Sequence, residues 1–205
     1  MPRLPVLLLA VLALWLAAAP PARADDFAPP GLSSDAEHYA SELHKRAPAG
    51  GSAAGRLNAE AQAAAALGKS DWPALASALE TRISLGQETA EQWLDLANAA
   101  LNLSPPQAKK AVAAAWKAYT GTEEGPAQVP PLKVLAQALR TLARLPDAVL
   151  ALERAEELAP DDEAVKHDLT ELRKLAGLFV RKLQTEAEAD PPRACLTFSV
   201  APVRR

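Results

Sequence analysis

Few side chains in this sequence have the chemistry of a reactive site. His38 and His44 are six positions apart, about 240° around a helix, so they do not converge on one ligand. His167 stands alone among charged residues. Zinc needs three or four convergent ligands, so each histidine is read as a solvated surface residue. Asp161-Asp162-Glu163 lacks the alternating oxygens and glycine of a calcium loop; acidic residues at a helix start instead complement the macrodipole. Gly50 and Gly55 have the spacing of a phosphate-binding loop, but Arg56-Leu57 replaces its lysine and hydroxyl residue, and no apolar strand precedes it. The sequence has no Gly-x-Ser-x-Gly, no cysteine–histidine arrangement and no carboxylate pair in apolar surroundings. An enzyme is therefore not expected, and neither a catalytic residue, a metal site nor a cofactor is assigned.

Binding residues offer more. Trp72, Trp93 and Trp116 are of the type enriched at interface hot spots. Trp93 and Trp116 lie on apolar stripes at helical spacing, which favours packing between helices, whereas Trp72 stands at a helix start. Trp72 and Trp93 are the candidate partner-binding residues. Cys195 is the single cysteine, so it cannot close a disulfide within the chain. In an oxidising compartment it is a free thiol or pairs with another chain.

The amino terminus sets that compartment. Met1-Pro2-Arg3 is a positive start, Leu4 to Ala19 is almost unbroken apolar sequence, and Ala22-Arg23-Ala24 has small residues where a signal peptidase reads. Residues 1–24 are predicted to be a signal peptide cleaved after Ala24. The apolar run is short for a bilayer core of about 30 Å, so no membrane association is expected after cleavage. Without residues 1–24, which carry two arginines and no acid, the formal charge moves from −3 to −5. That balance gives no basic footprint for nucleic acid. The alanine- and proline-rich composition suggests a bacterial source and hence the periplasm.

The elements that position these residues are mostly helical. Residues 25–56 are read as a leader holding one short helix, from a capping box at Ser34 and Glu37 to about Arg46, followed by a flexible linker. Helix pairs follow at 57–68 with 72–85, 90–103 with 105–119, and 131–143 with 146–158. Pro73, Pro105 and Pro146 suit a first helical turn, where the missing amide costs nothing. Thr89 with Gln92 and Ser104 with Gln107 read as further capping boxes. Trp93, Leu96, Ala97, Ala100 and Leu101 make one apolar stripe, and Leu132, Leu135, Ala136, Leu139 and Leu142 another. Pro73, Pro106 and Pro146 lie 33 and 40 residues apart, which fits a period near 34 if residues 121–130 are an insertion. Such hairpins cannot bury an apolar face singly, and about three are needed.

"PDAVLALERAEELAPDDEAV", residues 146–165, resembles the second helix of a tetratricopeptide repeat and its closing turn. Small Ala151 and Ala155 allow helices to touch, Pro160 stops one helix, and Asp161 or Asp162 caps the next. The expected fold is all-α: tetratricopeptide-like hairpins forming an α-solenoid over 57–178, with a short β tail over 179–205. A helix over 162–176 should end at Gly177. Phe179, Arg181 and Leu183, and then Ala194, Leu196, Phe198 and Val200, skip by two, which is strand spacing.

The join of helical repeats to "TEAEADPPRACLTFSVAPVRR", residues 185–205, resembles the front end of bacterial alpha-2-macroglobulin-like proteins of the periplasm. In that family a signal peptide, and in some members a helical segment, precede a series of β-sandwich domains that entrap proteases. The resemblance implies that this chain is an amino-terminal protein-interaction module, with the first sandwich cut off after one or two strands and no trapping activity of its own. It also implies that Cys195 would face a cysteine on a later strand. Cys195-Leu196-Thr197-Phe198 is not the family's thioester motif. The alternative is a stand-alone tetratricopeptide adaptor or scaffold whose tail pairs with a partner's sheet. The partner protein and the oligomeric state are left open by the sequence.

Overall fold

The computed structural model describes residues 27–46, 53–186 and 193–199. The expected signal peptide and its cleavage site lie outside the described residues. Eight α-helices are present among them: α1 (Leu32–Lys45), α2 (Ala53–Gly68), α3 (Trp72–Ser84), α4 (Ala90–Asn102), α5 (Ala108–Gly121), α6 (Val129–Thr141), α7 (Leu145–Leu158) and α8 (Glu163–Ala176). Two strands, β1 (Val180–Glu186) and β2 (Arg193–Phe198), follow. α2 packs on α3, α4 on α5 and α6 on α7; successive hairpins meet through α3–α4 and α5–α6, and α8 packs on α7. The chain is an all-α array of helical hairpins with a short β tail.

Local chemistry sets the helix starts. The Asp71 carboxylate accepts from the Ala74 amide (3.1 Å), the Thr89 hydroxyl from Gln92 (3.2 Å), and Asp162 from Ala164 (2.9 Å) and Val165 (3.1 Å). These bonds satisfy amides that have no partner within their helix. Pro73 and Pro146 sit in first turns.

Two expected capping boxes are corrected. α1 starts two residues before Ser34, from Gly31 at φ 85°, and the Ser34 hydroxyl donates back to the Gly31 carbonyl (3.0 Å) instead of capping. Glycine enters that left-handed conformation without a Cβ penalty, and so outcompetes a start at the serine. Pro105 and Ser104 precede α5 without belonging to its first turn. α5 begins at Ala108, its N-cap Gln107 makes no side-chain cap, and the Gln107 amide bonds the Ala100 carbonyl (2.9 Å). The second helices therefore start at Trp72, Ala108 and Leu145, 36 and 37 residues apart. That is a more even repeat than the prolines suggested. Residues 121–130 are absorbed into it: Pro126–Gln128 form a 3-10 turn, and buried Gln128 donates to the Tyr119 (3.2 Å) and Thr122 (3.4 Å) carbonyls.

Alanine makes close helix contact possible. Ala97, Ala111, Ala115, Ala138, Ala151 and Ala155 are fully buried, between layers filled by Leu96, Leu132, Leu135 and Leu139. α1 is part of this body. Its Leu32, Ala36, Ala40 and Leu43 are buried in the common core, and it packs on α3 and α5. Residues 27–46 are thus a helical layer over the second helices and not a leader, because an i, i+4, i+8, i+11 stripe this apolar has a groove to fill. Of the expected linker, residues 53–56 are helical as the start of α2, and residues 47–52 lie outside the described residues.

β1 and β2 pair antiparallel, with Leu183 opposite Leu196 and Gln184 opposite Cys195. The two strands form one ladder with each other, while their outer edges stay unpaired among the described residues.

Candidate functional site

α4 and α6, the first helices of two successive hairpins, and α8 after them line one side of the array. Between α6 and α8 lies a cleft of about 670 Å³. α6 contributes Lys133, Gln137 and Arg140 to it, α8 contributes Asp168 and Glu171, and Val134 and Leu172 supply apolar surface. The cleft thus has a cationic wall and an anionic wall. On α4, half-buried Leu94, Asp95 and Asn98 occupy the helical positions that Lys133, Val134 and Gln137 hold on α6. The Asp95 carboxyl is pushed above its usual range by burial and then by the charge of Glu91, with Arg82 opposing.

The other side is covered by α1, and three carboxylates tie it down. Glu80 Oε1 accepts from the Tyr39 hydroxyl (2.9 Å) and pairs with the Lys110 ammonium (2.8 Å), while Arg46 stands 3.7 Å from Oε2. Glu88 accepts from the Trp93 indole N–H through Oε2 (3.2 Å), and His44 Nε2 lies 2.6 Å from its Oε1. His44 thus sits within hydrogen-bond distance of a carboxylate while its side chain stays 45% exposed. Glu37 reaches Lys117 (3.1 Å).

The candidate binding residues separate. Trp93 is 2% exposed, its ring edge-on to Tyr39 at 6.1 Å, so it packs between α4 and α1 and its ring is closed to a partner as an anchor. Trp72, at the first position of α3, is half-buried and keeps part of its ring open. Trp116 packs with Phe27 and Tyr119. Cys195 is an exposed free thiol on β2. Leu183 and Leu196, which share the opposite face of the hairpin, are 61% and 51% exposed. Val180 and Leu178 beside them are also exposed.

The hairpin is fixed to the helices at its base. Phe179 packs against the core, its amide donates to the Ser199 hydroxyl (3.1 Å), and the Ser199 amide donates to the Phe179 carbonyl (2.9 Å). Glu153 on α7, nearly buried, accepts from Arg173 on α8 (2.9 Å) and from Arg181 on β1.

Glu80 and Glu153 belong to no motif in the sequence. The available signal was position: each is a carboxylate one helical turn from core residues, Ala76 and Ile83 for Glu80 and Val149 for Glu153.

Among the described residues no group of three His, Cys, Asp or Glu is placed to hold a metal ion, and no helix is long and apolar enough to cross a membrane. No protein-family model and no curated protein matches the chain, so what the site can do rests on its geometry.

Proposed function

We propose that this chain is a protein-interaction module that precedes the β-sandwich domains of a periplasmic alpha-2-macroglobulin-like protease inhibitor. The observation carrying this reading is the hairpin: one apolar face with Leu183 and Leu196 more than half exposed, outer edges unpaired among the described residues, and a base locked to α7 and α8 through Glu153. A two-stranded sheet is marginal in water, and an apolar sheet face is stabilised when a second sheet covers it. A helical array holding such a hairpin in a fixed place supports a role as platform for further strands. Cys195-Leu196-Thr197-Phe198 is not the thioester motif of that family, so no protease trapping is assigned to this chain itself.

Immunoblotting of a periplasmic extract with an antibody raised against α4–α8 tests the reading. The reactive species should be far heavier than the 21.6 kDa of this chain and should change mobility after exposure to a protease. A reactive species at the mass of this chain alone would favour the second reading, a stand-alone adaptor. The observation behind that reading is the α6–α8 cleft with its opposed charged walls, which suits a polar peptide segment.

A further inference from the structure

A second cleft lies on the side formed by the second helices, where α1 meets α5 and the turn between α6 and α7. It measures about 490 Å³, within the ~300–1,000 Å³ range of small-molecule sites. Lys109, Lys110 and Arg144 line it, with His38 on the α1 rim. Asp35 is the carboxylate in the lining. Val112, Ala113, Leu142 and the body of Tyr39 form its apolar wall.

Two of the three strong cations are held in place. Lys110 is paired with Glu80 at 2.8 Å. Arg144 is paired with Asp147 at 2.7 Å and donates to the Pro30 carbonyl at 3.1 Å. Lys109 has no carboxylate partner among the described residues. Lys109 and Lys110 also occupy the first turn of α5, which contains no acidic residue and has no side-chain cap. Cations at that end oppose the helix macrodipole, where negative charge is favoured. The turn that delivers Leu142 and Arg144 holds Ala143 at φ 58°, a backbone that glycine adopts more readily.

We propose that this cleft binds an amphiphilic organic anion, its carboxylate, sulfonate or phosphate head among Lys109, Lys110 and Arg144 and its apolar body against Val112, Leu142 and Tyr39. Asp35 on the opposite rim disfavours a second negative charge, so a single anionic head is selected. The site is independent of the hairpin and of the α6–α8 cleft, and its failure would leave the proposed function untouched.

Decanoate is the probe, titrated calorimetrically into the signal-free chain. One decanoate should bind per chain, and K109E should weaken it about tenfold or more, which is about 1.4 kcal/mol. K109M keeps the apolar stem, and should weaken binding less than K109E while circular dichroism stays unchanged. Decyltrimethylammonium should not bind. Equal decanoate affinity in wild type and K109E, comparable binding of the cationic analogue, or capture by phosphatidylglycerol vesicles without binding of free decanoate would each overturn the proposal.

Discussion

The Tyr39 hydroxyl donates a 2.9 Å hydrogen bond to Glu80 Oε1, joining α1 to α3 across 41 positions of sequence. Burial, followed by the charge of Glu80 and this bond, raises the Tyr39 pKa well above its usual value near 10.0. The folded chain therefore keeps the phenol proton where the unfolded chain releases it. With the folded value raised, Tyr39 leaves stability unaffected below about pH 10 and lowers it progressively above that pH. Y39F should flatten the alkaline decline in urea-melt stability relative to wild type. It should also cost about 1 kcal/mol at pH 7 through the lost bond.

Cap substitutions separate the real helix starts from the apparent ones. D162A removes the acceptor for two α8 amides and should cost about 0.5–2 kcal/mol. S104A should change urea-melt stability by less than about 0.5 kcal/mol, because Ser104 caps no helix and surface changes of that kind are small.

The contrast shows what the sequence could and could not convey. The stripes from Trp93 to Leu101 and from Leu132 to Leu142 named the buried faces of α4 and α6, and Asp162, Gly177 and the proline starts of α3 and α7 were legible because each acts on its own neighbours in sequence. Ser104 and Ser34 misled because the same residue types serve turns as well as caps. The place of α1 was not legible, since whether a short amphipathic helix packs on the array or stands apart depends on a groove formed by α3 and α5, far away in sequence. Glu80 and Glu153 were hidden for the same reason: the partners that give each carboxylate its role come from other helices and from β1.

Glu153 sets the position of the hairpin. E153Q keeps the shape of the side chain but removes the charge shared by Arg173 and Arg181. Limited trypsin digestion of native protein should cut E153Q after Arg181 several-fold faster than wild type, with α1–α8 left intact. Equal cutting would place the hold on Phe179 and Ser199 instead.

Cys195 is exposed and without a disulfide partner. A thiol reagent should modify it in native protein at close to the rate seen in urea, and L183S with L196S should reduce aggregation without changing the helical circular dichroism signal. Strong protection of the thiol in the isolated chain would contradict the exposed hairpin.

Export is tested at the amino terminus. Protein recovered from the periplasm should begin at Asp25, after cleavage at Ala24, and an intact Met1 in that pool would contradict it.

Hydrogen exchange of the hairpin amides, compared between the isolated chain and the native species purified from its source cells, bears most directly on the proposed role. If further strands cover this sheet, amides of Val180–Glu186 and Arg193–Phe198 should be protected at least about 100-fold more in the native species, while those of α4–α8 stay the same. Identical hairpin exchange in the two samples would contradict a platform for a β-sandwich.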